Sequence, residues 1–267
     1  MNFVSQVVSR FRRGCILIAG NSIPIRGRLD VFRILRVRRK KLPRTYAIRL
    51  SQGNVFVDGQ NATIDLRTFA HIFIDRVYRY LHFTDRIVVD IGAHKGYFAA
   101  YALLRGAKAV FCYEPENSNF MALTRFTNTL GEKKKSVEVH HEAVGEEGEV
   151  TLYLSEDSWA HTTVSRNLTC TKSINVPSRS LATVLESAQT GFPGFDFLLK
   201  IDAEGAECPL LLGTPAALFS SVKEIVFEYH GFSTCSLDQI LRRLRSFGYE
   251  YVGSVPEADL HYFRSKP

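Results

Sequence analysis

Residues 88–98 read V-V-D-I-G-A-H-K-G-Y-F, and this stretch decides the fold of the chain. An apolar run that contains one acid, Asp90, is followed by two glycines, Gly92 and Gly96, and then by apolar residues at helical spacing. This order predicts a buried strand, a tight turn and a helix. Because glycine has no Cβ, a ligand can approach the backbone of such a turn closely.

The spacing of the two glycines narrows the choice of ligand. It is neither the G-x-G-x-x-G of nicotinamide and flavin sites nor the G-x-x-x-x-G-K-[ST] of an ATP phosphate cradle. The acid at the strand end, Asp90, suits a ligand that carries positive charge at this point. S-adenosylmethionine, with its ammonium and sulfonium groups, is such a ligand.

The composition is that of a water-soluble globular protein. The 267 residues are 45% hydrophobic and 23% charged, which suits one large α/β domain with an extension or two small domains. The sequence has no apolar run of 18 residues, so we expect no membrane-spanning helix. Five widely spaced cysteines without a C-x-x-C pair predict reduced thiols in the cytoplasm, not a disulfide framework or a zinc knuckle.

The net charge of +7 is unevenly distributed. Residues 1–50 hold 13 of the 34 basic side chains and a single acid, Asp30, whereas the remainder is mildly acidic. We therefore assign residues 1–60 to a basic N-terminal extension and residues 61–267 to the catalytic domain. The extension predicts contact with an anionic membrane surface, or it is a solvated leader. Nucleic acid is less favoured as its partner, because aromatic residues are sparse among the basic ones.

Beyond the glycine turn, the pattern predicts alternating strands and helices. The expected parallel strands are 87–91, 109–113, 137–144, 197–201 and 224–229, followed by an antiparallel pair at 249–253 and 259–263. An apolar face at helical spacing predicts a helix over 65–81 that helps to close the cofactor site. Residues 145–190 show the least pattern, although a strand at 150–154 and a short helix at 181–187 are predicted within them. We assign the segment to an irregular insertion that forms a lid or a substrate wall.

Acids at two strand ends complete the predicted nucleoside site. Glu114 ends the second strand, 18 residues after Gly96, where an acid can accept hydrogen bonds from ribose hydroxyls. Glu142 and Ala143 end the third strand, where the adenine of a bound nucleoside would lie.

These motifs together resemble the FkbM-type branch of class I S-adenosylmethionine-dependent methyltransferases. The resemblance covers about residues 80–230 and is carried by 88–98, Y-E-P-E-N-S-N-F (113–120), H-E-A-V-G (141–145), L-L-K-I-D-A-E-G-A-E (198–207) and F-E-Y-H (227–230). The chain departs from the family pattern at His94-Lys95 and in the basic first 60 residues.

The resemblance implies an α/β, Rossmann-like fold with a seven-stranded, mostly parallel sheet, an antiparallel last strand and helices on both faces. It implies S-adenosyl-L-methionine as the cofactor. The cofactor-binding residues predicted from the turn, the strand ends and the resemblance are Asp90, Gly92, Ala93, His94, Gly96, Glu114, Pro115, Asn119, Glu142, Ala143 and Asp202.

The resemblance also implies O-methylation of a hydroxyl on a sugar, a glycolipid or a small metabolite. Such a reaction benefits from a base that removes the hydroxyl proton in the transition state. The candidates at the ends of the fourth and fifth strands are His230, Asp202 and Glu204. These three side chains are also of the types that bind a divalent ion, but the sequence does not require one and we predict no metal.

Two other functions stay open at this point. An RNA methyltransferase would use the basic extension, although no N-P-P-[YF] tetrad follows the fourth strand to favour methylation of base amino groups. An inactive binding protein on a methyltransferase fold is the other, and the intact glycines and acids argue against it. The predicted location is the cytoplasm, with peripheral contact to a membrane.

Overall fold

The computed structural model describes residues 23–37, 45–155, 160–164 and 172–266. The helices are α1 (Ile25–Val37), α2 (Ala62–Phe73), α3 (Tyr97–Leu104), α4 (Asn117–Asn128), α5 (Leu181–Gly191), α6 (Glu207–Gly213) and α7 (Leu237–Ser246). The strands are β1 (Thr45–Arg49), β2 (Asn54–Asp58), β3 (Ile87–Ile91), β4 (Ala109–Tyr113), β5 (Val137–His140), β6 (Ala143–Val144), β7 (Gly148–Leu154), β8 (Lys172–Arg179), β9 (Phe197–Ile201), β10 (Val222–Glu228), β11 (Tyr249–Val255) and β12 (Leu260–Ser265). The first part of the basic extension, residues 1–22, lies outside the described residues.

Seven of the described strands form the central sheet, in the order β11-β12-β10-β9-β3-β4-β5. β3 lies inside the sheet and pairs in parallel with β4 and with β9, while β12 runs antiparallel to both of its neighbours. The predicted mostly parallel sheet with an antiparallel last strand is therefore confirmed. The strand order reverses direction between β3 and β9, and a crevice at the carboxyl ends of the strands is the usual ligand site of such a sheet.

Helices cover both faces of the sheet. On one face, α1, α2, α3 and α4 share a hydrophobic core, and on the other face α5, α6 and α7 share a second one. α3 is buried from Tyr97 to Leu103, since it lies between the sheet and α2, where the rings of Phe73 and Tyr101 meet edge to face. An apolar surface on all sides is what such a fully covered helix requires.

The described part of the N-terminal extension packs into the same core as α3. β1 and β2 form an antiparallel hairpin, and Val55, Val57 and Val31 are fully buried. Asp30 on α1 accepts hydrogen bonds from the guanidinium of Arg49 at 2.6 and 2.8 Å. The domain boundary at residue 60 stays a prediction, but the hydrophobic core is continuous across it.

Local structure differs from the sequence prediction in three places. α2 ends at Phe73 and does not reach residue 81, because the chain turns through Arg76, which has a positive φ of 54°. The predicted strand 137–144 is split, since β6 leaves the central sheet and pairs with β8. In the segment 145–190, the predicted strand at 150–154 corresponds to β7 and the predicted helix at 181–187 to α5, whereas β8, which pairs antiparallel with all of β7, was not predicted. β8 was missed because most of its residues are exposed, which hides its alternation.

The prediction that the cysteines are all reduced is wrong for one pair. Cys208 and Cys235 form a disulfide, with Cα atoms 5.7 Å apart. Their separation of 27 residues concealed the pairing, because α6 and the loop before α7 meet only in the folded chain. Cys112 is a buried thiol, and Cys15 and Cys170 lie outside the described residues. None of the described helices combines the length and the apolar character needed to cross a membrane.

Candidate functional site

A cavity opens at the carboxyl ends of β3, β4, β9 and β10, where the strand order predicts a ligand site. The end nearest the glycine turn is lined by Gly92, Ala93, His94, Glu114, Pro115, Asn119 and Ala143. The other end is lined by one face of α2 (Ile64, Arg67, Thr68 and His71) and by Tyr78, Asp202, Glu204 and Glu228. The two groups of residues thus differ in chemistry. The first offers backbone groups and one carboxylate, that of Glu114, whereas the second offers several carboxylates.

The glycine turn can be built only with glycine at its first position. Gly92 has a φ of +73°, and a Cβ there would lie 1.9 Å from the backbone oxygen of Asp202. Gly96 also has a positive φ, and its missing Cβ gives space to Leu123 and Phe126 of α4. Gly92 therefore lets β3 approach β9 beneath the ligand, whereas Gly96 lets α3 approach α4.

Glu114 is oriented by the turn itself. Its carboxylate accepts the backbone N–H of His94 at 2.8 Å and that of Glu116 at 2.9 Å, and the residue is 5% exposed. Burial raises the pKa of Glu114 to about 7, although these backbone hydrogen bonds lower it. A fixed carboxylate on the cavity wall, with lone pairs left over, can accept hydrogen bonds from a pair of hydroxyls.

The remaining predicted nucleoside residues divide into two groups. Pro115, Asn119 and Ala143 lie on the cavity wall. Glu142 is not among the described residues of that wall, and its carboxylate binds the guanidinium of Arg179 at 2.6 Å. The predicted contact between Glu142 and adenine stays a prediction.

Asp90 lies beneath the turn, not on the described cavity wall. It is fully buried, with one carboxylate oxygen 3.0 Å from the ammonium of Lys200. Lys200 in turn donates to the carbonyl of Gly92 at 2.7 Å. Burial lowers the pKa of Lys200, but the negative charges of Asp90 and Asp202 have the larger effect and raise that pKa above its ordinary value. Asp90 therefore acts on the turn through Lys200, a residue that sequence reasoning missed although it belongs to the stretch 198–207.

A second buried ion pair joins the turn to α2. The ammonium of Lys95 lies 2.8 and 2.7 Å from the two carboxylate oxygens of Asp65, and the side chains are 5% and 0% exposed. The backbone N–H of Asp58 also donates to Asp65. The departure from the family pattern at His94-Lys95 thus has a structural role, because Lys95 fixes the helix that forms one wall of the cavity.

The structure brings the three predicted catalytic residues together. His230 follows β10 and lies between two acids, with Nδ1 2.9 Å from Glu207 and Nε2 3.4 Å from Glu204. Burial lowers the pKa of His230, but the hydrogen bonds to Glu204 and Glu207 raise it to about 11. An imidazole that already holds its proton is poorly suited to take another from an acceptor. The role of His230 as a base stays a prediction that this geometry does not favour.

Asp202 and Glu228 present carboxylates directly to the cavity. Their side chains are 29% and 31% exposed, and both lie on the wall. Burial and the neighbouring Asp202 raise the pKa of Glu228 to about 8. Glu228 was missed because the predicted strand ran to residue 229, whereas β10 ends at Glu228. The stretch F-E-Y-H at 227–230, which crosses the end of β10, was the available signal.

The loop after β9 takes a backbone shape that the insertion supports. Glu204 has a positive φ of 47°, and the hydroxyl of Thr162 donates to its carbonyl. Gly205 follows with a φ of +104°, and a Cβ there would lie 2.5 Å from the ring of Phe232. The insertion and the loop after β10 therefore hold the acidic segment in place from two sides.

Comparisons with known proteins give one family match and several similar solved structures. The model of the methyltransferase FkbM domain matches residues 90–251. An FkbM methyltransferase from Methylobacillus flagellatus is similar in structure at 14% identity, with a TM-score of 0.48. That similarity covers 98% of this chain and 59% of that protein, so the chain spans well under two thirds of its length.

Two further solved structures are similar at lower coverage. One is a Streptococcus pneumoniae protein provisionally assigned as a tRNA (m1A22) methyltransferase and solved with S-adenosyl-L-methionine, at 13% identity and a TM-score of 0.41 over 72% of each chain. The other is an S-adenosylmethionine-dependent methyltransferase from Agrobacterium tumefaciens, at 8% identity and a TM-score of 0.42, covering 85% of this chain and 71% of that one. A search of curated proteins returns no match.

Proposed function

The chain belongs to the FkbM family of methyltransferases, and from this premise we propose that it methylates a hydroxyl of a sugar, a glycolipid or a small metabolite. It is an S-adenosylmethionine-dependent methyltransferase. The cavity suits that cofactor, because Gly92 lets the turn lie directly against the backbone of Asp202 and Glu114 offers a fixed carboxylate on the cavity wall. The cofactor supplies an activated methyl group, so the protein has mainly to position the acceptor for in-line attack.

One observation carries the proposal of a hydroxyl acceptor: the carboxylates of Asp202 and Glu228 lie on the cavity wall beyond the glycine turn. A carboxylate accepts the hydrogen bond of a hydroxyl and thereby directs an oxygen lone pair away from itself, toward the methyl group. It can also take the proton as the new bond forms. Asp202 lies next to the glycine turn in space, because its backbone oxygen is 1.9 Å from the position that a Cβ of Gly92 would take.

The opposite wall limits what the acceptor can be. α2 presents Ile64, Thr68 and His71 to the cavity, and Tyr78 follows in the turn after it. Such a surface combines apolar patches with single hydrogen-bonding groups, which suits a sugar ring or another compact polyhydroxylated molecule. These residues support a small acceptor or the end of a larger one.

The proposal is tested by cofactor binding and by acceptor screening. Calorimetric titration should give micromolar binding of S-adenosylmethionine and S-adenosylhomocysteine, with NAD and ATP as non-binding controls. Formation of S-adenosylhomocysteine is then followed with hydroxyl acceptors and with matched amines. Asp202→Asn should lower the turnover of the active hydroxyl acceptor by at least tenfold and leave cofactor binding within a few fold.

A different acceptor class would overturn the proposal. Transfer to amines or to RNA bases, with no transfer to the hydroxyl compound of the same skeleton, would contradict it. If the folded protein binds neither S-adenosylmethionine nor S-adenosylhomocysteine, the cofactor assignment is contradicted. The proposed hydroxyl transfer depends on that assignment.

A further inference from the structure

Three side chains at the carboxylate-rich end of the cavity can reach one common point. Asp202, Glu228 and His230 each offer one ligand atom, and these atoms all lie within 4.8 Å of one another. They come from the ends of the adjacent strands β9 and β10, so the sheet itself fixes their spacing. Carboxylate oxygens and imidazole nitrogen are the groups that hold a divalent cation in proteins.

The state of His230 is an independent sign that something is bound there. Its side chain is only 10% exposed, and the buried Nε2 has carboxylate oxygens of Glu204 and Glu228 at 3.4 and 3.7 Å, but neither contact has the geometry of a hydrogen bond. The other nitrogen, Nδ1, lies 2.9 Å from a carboxylate oxygen of the fully buried Glu207. This is the usual arrangement of a metal-binding histidine, in which a carboxylate fixes one ring nitrogen and turns the other toward the ion.

The negative charge around His230 also favours a bound cation. Four carboxylates surround the ring: Glu204 and Glu207 within 3.4 Å, Glu228 at 3.7 Å, and Asp202 in the shared cluster. Lys200 approaches Asp202 at 3.4 Å, but its ammonium is directed to Asp90 at 3.0 Å and to the carbonyl of Gly92. Grouped carboxylates that are partly withdrawn from water repel one another, and an ion removes that cost.

We propose that Asp202, Glu228 and His230 form a divalent-cation site of the manganese type. Two carboxylates and one imidazole, without a thiolate, favour Mn²⁺: the oxygens suit it as they suit Mg²⁺, and the nitrogen suits a transition metal better. A histidine binds a metal ion through a neutral imidazole nitrogen. Glu207 is a positioning residue that sets the orientation of the ring.

This site goes beyond the proposed hydroxyl transfer and does not depend on it. Its binding can be measured without cofactor, acceptor or turnover. Its position among the carboxylates that face the acceptor places the ion where it would draw electron density from an acceptor oxygen. The metal site and the hydroxyl transfer can therefore be contradicted independently of each other.

The test uses the full chain, freed of metal with a chelator and titrated with Mn²⁺. Electron paramagnetic resonance of free Mn²⁺ should show one bound ion per chain. Pulsed measurements should show coupling to a nitrogen nucleus, which His230→Gln abolishes. Glu228→Gln should weaken binding by at least tenfold, and Glu207→Gln by about 10- to 100-fold, as expected for a group that orients a ligand.

Glu257→Gln is the matched control, because Glu257 lines the same cavity outside the cluster and should leave Mn²⁺ affinity unchanged. Thermal melting and S-adenosylmethionine binding show that each variant is folded. The proposal is overturned if folded, cofactor-binding wild type takes up no Mn²⁺, if bound Mn²⁺ shows no nitrogen coupling, or if Glu228→Gln and Glu257→Gln bind equally.

Discussion

Replacement of Lys95 by methionine tests whether the buried ion pair holds the cavity wall to the glycine turn. The Lys95 ammonium makes two contacts with Asp65, at 2.7 and 2.8 Å, and neither side chain is more than 5% exposed. Methionine preserves most of the volume of lysine, so the change removes the charge and leaves little empty space. Asp65 would keep the backbone N–H of Asp58, at 2.7 Å, as a hydrogen-bond donor.

The expected cost follows from the burial of the remaining charge. Removal of one partner from a buried ion pair costs about 3–5 kcal/mol, because the other charge stays without compensation. For a chain of this size, this corresponds to a fall in melting temperature of roughly 6–20 °C. S-adenosylmethionine affinity should also fall, because α2 and the turn are no longer tied together.

The loss should depend on pH with a definite sign. Burial raises the pKa of Asp65, and Lys95 opposes this by lowering it. Without Lys95 the folded-state pKa rises further above the unfolded value, so the folded chain binds a proton more tightly than the unfolded chain does. The free energy of unfolding of Lys95→Met should therefore increase as the pH falls through the folded-state pKa, and the deficit should be smaller near pH 5 than near pH 8.

Urea unfolding followed by circular dichroism measures these differences, provided that the slope with denaturant is unchanged. Lys95→Met/Asp65→Asn removes both charges and should recover most of the loss. Lys223→Met is the matched control, since Lys223 belongs to an exposed pair with Asp196 at 4.0 Å and should change stability by less than about 1 kcal/mol. The reasoning is refuted if Lys95→Met costs no more than this control, or if the double variant is as unstable as the single one.

Three other outcomes are expected. Gly92→Ala should cost about 1–3 kcal/mol of stability and abolish detectable cofactor binding, because the new Cβ would lie 1.9 Å from the backbone oxygen of Asp202. Gly191→Ala is the control in the calorimetric titration, since a Cβ at Gly191 has nothing within 4 Å. Normal binding by Gly92→Ala would contradict the geometry of the turn. Since burial raises the pKa of Glu114 to about 7, the dissociation constant for S-adenosylmethionine should rise about tenfold from pH 8 to pH 6 as the carboxylate is protonated, whereas Glu114→Gln should bind weakly at every pH; an equal pH dependence in both proteins would show that another group is responsible. Cys235→Ser opens a disulfide that spans 27 residues and should lower the free energy of unfolding by roughly 3–4 kcal/mol in chemical denaturation, and a variant as stable as the non-reduced wild type would show that this bond contributes nothing.

The amino-acid sequence alone predicts the strands of the central sheet, the helices between them and the position of the glycine turn. These features are local: β3, the turn and α3 follow from four apolar strand positions, two glycines and a helical pattern within residues 87–104. A parallel sheet then follows because each strand is separated from the next by a helix. Glu114 was predicted by its distance from the turn, and the structure places it on the cavity wall.

Only the tertiary structure decided which charged groups meet. Lys200 lies beside Asp90 because β9 pairs with β3 in one particular register, Asp90 opposite Lys200, and no spacing along the chain encodes that pairing. The disulfide between Cys208 and Cys235 likewise joins elements that are neighbours only after the sheet has formed.

The orientation of the acids at the end of the cavity was decided in the same way. The sequence lists Asp202, Glu204 and His230 as equivalent candidates, whereas the fold exposes Asp202 to the cavity and holds His230 between Glu204 and Glu207. It also adds Glu228, which a reading of strand ends passed over. The physical reason is that burial and charge at a site depend on all the elements packed around it, whereas periodicity and turn chemistry depend on neighbours along the chain.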